Sequence, residues 1–303
     1  MLGYNIGLWE KLHDADPTIE EPAQMFLDGN WNYEIFKEYC LKVQNALDTM
    51  FGTDDKYYCL SGYGTAYWLG MVNAGGVKIL DPTQLKVSIT GTTETLVATT
   101  LQEIFNSGAM DPAFQVDGSV ATWNAGHSLF NTGDLWFVNA PDRWTKVLWG
   151  SEENTRYGYV PFPTSPTNTD PDAVYVGTTS EACIVMPTGR EWAYKGFGDE
   201  CTTENIYRAV MEYYVSARKY YKESEDYDRV GDLTKDATAR FASEASVKAY
   251  IKMMAGTQDA SGEYVGGITE TAFFDPFCGS NNVVSHSGSK GTFPGDINEY
   301  IKG

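Results

Sequence analysis

Positive charge is what this sequence has least of: 22 lysines and arginines stand against 41 aspartates and glutamates, a formal net charge of −19. Binding phosphate backbones or anionic lipid heads requires clustered cations, so the balance argues against nucleic acid as a partner. Long apolar runs are also missing. No stretch approaches the roughly 20 consecutive apolar residues of a membrane-spanning helix. The opening Met1-Leu2-Gly3-Tyr4-Asn5 has neither the charged nor the apolar region of a signal peptide. Two expectations follow: a cytosolic protein, or one whose export signal lies upstream of Met1.

Cysteine and histidine are sparse as well. The five cysteines (Cys40, Cys59, Cys183, Cys201, Cys278) include no C-x-x-C pair, and no histidine stands at zinc-finger spacing, so no metal site is expected. One disulfide, Cys40 to Cys59 or Cys183 to Cys201, is compatible with these positions, and so are buried free thiols. His13, His127 and His286 occur in unrelated contexts without a G-x-S-x-G elbow. Phosphate-cradling glycine loops of the Walker or dinucleotide type are absent, so no cofactor is implied. Carboxylates are plentiful, but a glycosidase needs two at a defined separation. Nothing in the sequence singles out a pair among Asp134, Asp142, Glu181 and the rest. The expectation is a protein that is not an enzyme.

What is present suits a globular chain. Its 303 residues exceed one average domain, and a 42% hydrophobic share is interrupted throughout by Gly, Pro, Asn and Asp. Trp31, Ile35, Phe36, Tyr39, Val43, Leu47 and Met50 recur at helical spacing after the turn Asp28-Gly29-Asn30. A second helix is expected over 93–107, with Val97, Leu101, Ile104 and Phe105 on one face and Gly108 as its stop. A third is expected over 65–73, ending at Gly75-Gly76. Short β-branched and aromatic runs at 136–138, 157–160, 173–176 and 182–186 read as strands. Strands alternating with helices predict an α/β fold. After Pro187 helical spacing dominates (Ile206, Val210, Tyr213, Tyr214, Ala217, Tyr221), which places a boundary near 187–203. From Gly262 to Gly303 the composition reads as long loops.

Several motifs in order carry a resemblance. Tyr4-Asn5-Ile6-Gly7-Leu8-Trp9-Glu10-Lys11 is followed by Trp31-Asn32-Tyr33-Glu34-Ile35-Phe36, then by Trp68 with Asn73-Ala74-Gly75-Gly76. Phe130-Asn131-Thr132-Gly133 precedes Leu135-Trp136-Phe137-Val138-Asn139-Ala140-Pro141, and Tyr157-Gly158-Tyr159-Val160-Pro161-Phe162-Pro163 comes next. Tyr175-Val176-Gly177 and Ile184-Val185-Met186-Pro187 close the series. This order resembles extracellular solute-binding proteins of ABC transporters, of the maltose-binding type (family 1). The resemblance implies a two-lobed, type II periplasmic-binding-protein-like fold lacking the N-terminal part that bears the export signal. On that reading residues 1–187 form the second lobe, 188–280 a mostly helical part of the first lobe, and 281–303 a return segment of loops. It further implies a monomer outside the cytoplasm, lipid-anchored at the cell surface or periplasmic, that binds a sugar or oligosaccharide and docks on permease subunits.

A sugar offers apolar C–H faces and a rim of hydroxyls, so its site needs aromatic plates and a few fixed polar groups. Aromatic residues make up 14% of this chain. The resemblance puts Trp144 against the ligand, with Asn139 nearby and with Asp142 and Arg143 bonding hydroxyls; packing of Trp144 on its own lobe is the opposing reading. Tyr63, Thr65, Tyr67 and Trp68 form a second group, of which a helix turning about 100° per residue lets only some face the cleft. Tyr63, ahead of the helix, is preferred, and Trp68 is expected in the core. Tyr175, Gly177 and Thr178 form a third group, with Gly177 allowing close backbone approach. Phe273, Phe274 and Phe277 either cover the site or pack in the core. The alternative class is a carbohydrate-active enzyme or a sugar-binding module.

Overall fold

The computed structural model describes residues 1–52, 54–77, 80–81, 86–87, 91–115, 120–132, 156–167, 202, 204–206, 208–209 and 228–266. The chain divides into two compact units, Met1–Ser180 with Leu233–Gly303, and Glu181–Asp232. In the second, the Thr202 hydroxyl accepts from Asn205 N at 3.1 Å and so caps the helical residues 204–206.

The first unit is mixed α/β, as expected. In chain order it runs β1 (Leu2–Asn5), α1 (Ile6–Ala15), α2 (Pro22–Leu27), α3 (Tyr33–Phe51), β2 (Tyr58–Ser61) and α4 (Gly64–Ala74). The pair β3 (Leu80–Asp81) and β4 (Lys86–Val87) comes next, then α5 (Thr92–Asn106), a 3-10 turn at Pro112–Gln115 and α6 (Val120–Asn124). Strands β5 (Ser128–Thr132) and β6 (Tyr157–Val160) follow, then α7 (Arg229–Arg240, of which this unit holds the part from Leu233), α8 (Glu244–Ala255), β7 (Gly256–Gln258) and β8 (Tyr264–Gly266).

Local chemistry sets the helix boundaries. Asn5 caps α1 by accepting from Leu8 N at 2.9 Å, and Asn32 caps α3 by accepting from Glu34 N and Ile35 N, each at 3.1 Å. Helix α3 buries Phe36, Tyr39, Cys40, Val43 and Leu47, one stripe at helical spacing, and stops at Gly52, whose φ of 75° suits glycine. Ser243 caps α8 through Ser246 N at 3.0 Å.

Four strands form one sheet in the order β2-β5-β1-β6. Strand β1 is antiparallel to both neighbours, with Tyr4 opposite Phe130 on one side and Gly158 on the other. Strands β2 and β5 are parallel, with Leu60 opposite Phe130. Every residue of β1 and β6 is buried, which requires helices over both faces of the sheet.

Much of the aromatic content goes into the interior. The Phe130 ring lies 6.3 Å from Tyr4, 6.2 Å from Trp31, 5.9 Å from Phe36 and 6.1 Å from Tyr39, centroid to centroid. Trp123, Tyr33, Tyr67, Tyr157 and Tyr159 are also fully buried. Burial of each such ring is worth about 2–3 kcal/mol, so aromatic richness here is first a property of the core. No described helix is long and apolar enough to cross a membrane.

Candidate functional site

Because β1 runs against both neighbours and β2 runs with β5, the carboxyl ends of β2, β5 and β6 lie along one edge of the sheet. In open α/β sheets that edge is where ligands bind, since the chain leaves each strand there into loops and helix N-termini. Strand β2 leaves it through Gly62 and Tyr63 directly into α4.

Close packing governs this exit. Gly62 has φ of +100°, and a Cβ on it would sit 2.5 Å from both Asn131 Oδ1 and Thr132 Oγ1. Only glycine lets β2 pass so near the end of β5. Tyr63 N then donates to Thr132 Oγ1 at 3.1 Å, which ties the two strand ends together. The Tyr63 carbonyl accepts from Ala66 N at 2.9 Å and Tyr67 N at 3.2 Å and so starts α4.

Three features at this edge face outward or lack a partner. The Tyr63 side chain is 53% exposed, the largest exposure among the exposed large hydrophobic residues described. No side chain caps α4, so the first N–H groups of the helix, at Gly64 and Thr65, have no partner among the described residues. Asn131 is only 5% exposed, yet its side-chain amide has no hydrogen-bond partner among them.

Among the described residues at this edge, Tyr63, Thr65, Asn131 and Thr132 carry no charge, and the N-terminus of α4 adds a partial positive charge. An exposed ring, an amide that both donates and accepts, and free N–H donors suit a neutral ligand with an apolar face and hydroxyls.

Of the residues expected from sequence, Tyr63 and Thr65 stand exposed at this edge. Tyr67 belongs instead to the interior: it is wholly buried and its hydroxyl donates to the Ser61 carbonyl at 2.8 Å. Burial pushes that hydroxyl well above its ordinary value and keeps it a neutral donor. Trp68 is half-buried and donates from Nε1 to the Glu94 carbonyl at 3.3 Å. Asn139, Asp142, Arg143, Trp144, Tyr175, Gly177 and Thr178 lie outside the described residues, as do Phe273, Phe274, Phe277 and the expected strands at 136–138, 173–176 and 182–186.

Sequence reasoning passed over Asn131. Its signal was the succession of an apolar pair, Leu129-Phe130, by Asn131-Thr132-Gly133, which is how a buried strand hands over to a polar, glycine-bearing exit. Among the described residues no three His, Cys, Asp or Glu side chains converge to hold a metal ion. Comparison with family models, with curated proteins and with solved structures returns no match.

Proposed function

We propose that this chain is the substrate-binding component of an ABC importer, that it takes a neutral sugar or oligosaccharide, and that it delivers this ligand to membrane permease subunits without chemical change. On this reading the sheet belongs to one lobe of a two-lobed, type II periplasmic-binding-protein-like molecule, which is monomeric and works outside the cytoplasm, at the cell surface or in a periplasm. The single observation that carries the ligand class is the exposed Tyr63 ring at the sheet edge where β5 ends in Asn131, whose side-chain amide has no hydrogen-bond partner among the described residues. The ring supplies a stacking face, while the amide and the Gly64 and Thr65 N–H groups supply hydroxyl partners. The net charge of −19 supports a neutral ligand over a polyanion. The order of motifs from Tyr4 to Pro187 supports the transport role. Binding would favour closure of the two lobes, and the closed form would be the one that engages the permease.

Intrinsic fluorescence titration of the full chain with a panel of mono- and oligosaccharides tests this. A saturable response to at least one saccharide, weakened in Tyr63→Ala, is expected; no response to any member of the panel would overturn the sugar assignment.

A further inference from the structure

Where β5 ends, Thr132 holds the backbone on which the exposed Tyr63 ring stands. Its Oγ1 accepts from Tyr63 N at 3.1 Å, a bond that crosses from β5 to the residue directly ahead of α4. A Cβ on Gly62 would lie 2.5 Å from the same oxygen and 2.8 Å from Thr132 N, so no larger residue can stand between the two strand ends. Thr132 is half-buried beside an exposed ring, at the margin between the core and the open edge.

A hydroxyl has one proton to donate and two lone pairs to accept with. Elsewhere in this unit threonines spend the proton on the protein. The hydroxyls of Thr49, Thr99 and Thr164 donate to backbone carbonyls at 2.8, 2.9 and 2.7 Å. Thr132 differs: the Tyr63 amide takes a lone pair, and among the described residues no group accepts the proton. On the saccharide reading given above, we propose that Thr132 is the specificity-determining residue of the edge. Its hydroxyl donates to one hydroxyl oxygen of the saccharide that stacks on Tyr63, while still accepting from Tyr63 N. The two bonds run in one direction through one oxygen, so each strengthens the other. A ligand with hydrogen in place of that hydroxyl loses its bond to Thr132 and the support this bond gives to the placement of Tyr63.

Calorimetric titration of the full chain with the best-binding saccharide of a panel, and with its monodeoxy analogues, tests this in the parent, Thr132→Ser and Thr132→Val. Parent and Thr132→Ser should bind the saccharide equally well, and one deoxy analogue about tenfold more weakly. Thr132→Val keeps the shape and removes the hydroxyl. It should bind the saccharide about tenfold more weakly and no longer distinguish it from that analogue. A threonine that served the fold alone would leave the deoxy penalty in place. In the parent protein the Tyr63 amide proton, followed by nuclear magnetic resonance, should exchange more slowly once saccharide is added, a readout that does not need the valine variant to fold. Thr132→Val with parent affinity, a deoxy penalty that survives in it, or a Tyr63 amide unmoved by bound saccharide would overturn the role of Thr132 and leave the sugar assignment standing. Binding of no saccharide by the parent would overturn both.

Discussion

Tyr4 on the interior strand β1 and Ser246 in the first turn of α8 are 242 residues apart in the chain and hydrogen-bond through their hydroxyls at 2.5 Å. Glu21 closes the cluster, accepting from Tyr4 at 2.5 Å and from the capping Ser243 hydroxyl at 2.5 Å. These contacts seat α8 against the sheet beside α2. Tyr4→Phe should therefore destabilise the protein by about 1–3 kcal/mol, because it strands buried partners. Urea unfolding read by far-ultraviolet circular dichroism measures this, and an effect no larger than that of the exposed Thr49→Ala would show the cluster to be idle.

Gly158 makes room for the same cluster. A Cβ there would lie 2.1 Å from Ser246 Oγ and 2.6 Å from the Tyr4 ring. Gly158→Ala should cost about 1–3 kcal/mol by overpacking, although alanine suits a strand better than glycine does. The same unfolding experiment reads the result, and a stabilised variant would contradict this packing.

At the sheet edge, stability and binding should separate. Asn131→Ala removes an amide that has no partner among the described residues, so the unfolding free energy should stay within about 0.5 kcal/mol of the parent. Tyr63→Ala should likewise leave the fold intact. Both should weaken saccharide binding by about tenfold, the equivalent of about 1.4 kcal/mol. Tyr67→Phe should do the reverse, costing about 1 kcal/mol of stability through the lost bond to Ser61 and leaving affinity unchanged. Calorimetric titration beside urea melts checks all three variants.

Alkaline pH should unfold the protein through its buried phenols. Burial, with Glu21 adding to it at Tyr4, pushes the hydroxyls of Tyr4, Tyr39 and Tyr67 well above the ordinary 10.0. Once pH passes the ordinary value, the unfolded chain releases these protons while the folded chain keeps them. Stability is therefore fully present below about 10 and falls as pH rises beyond it, by up to about 1.4 kcal/mol per pH unit for each group. Denaturation midpoints measured between about pH 8 and pH 11 should drop, and tyrosinate absorbance should appear together with unfolding. Ionisation of every tyrosine in the folded protein near pH 10 would contradict this.

The sequence was most legible where one face of an element is wet. The expected helices at 31–50, 65–73 and 93–107 correspond to α3, α4 and α5, and the expected strand at 157–160 is β6. Strands β1, β2 and β5 were not anticipated. They are short and buried along almost their whole length, so no alternation of polar and apolar residues marks them. Their polar residues also mislead: Ser61 and Ser128 look like turn formers, yet their hydroxyls pair inside the sheet at 2.7 Å. The region after Gly262 was expected to be loops, yet β8 pairs there with β7, Tyr264 opposite Gln258. At the site, Tyr63 could be read from its place before a helix. Asn131 could not, because its place at the end of β5, against the exit of β2 through Gly62, is a property of the folded arrangement.

Hydrogen–deuterium exchange of the full chain with and without saturating saccharide tests the central claim most directly, because it locates the ligand as well as detecting it. Slowed exchange confined to peptides covering Gly62 to Ala66 and Asn131 to Thr132, among those from the described residues, is the expected result. Saccharide binding that leaves those peptides unchanged while protecting α3, α8 or another part of the sheet would contradict the account.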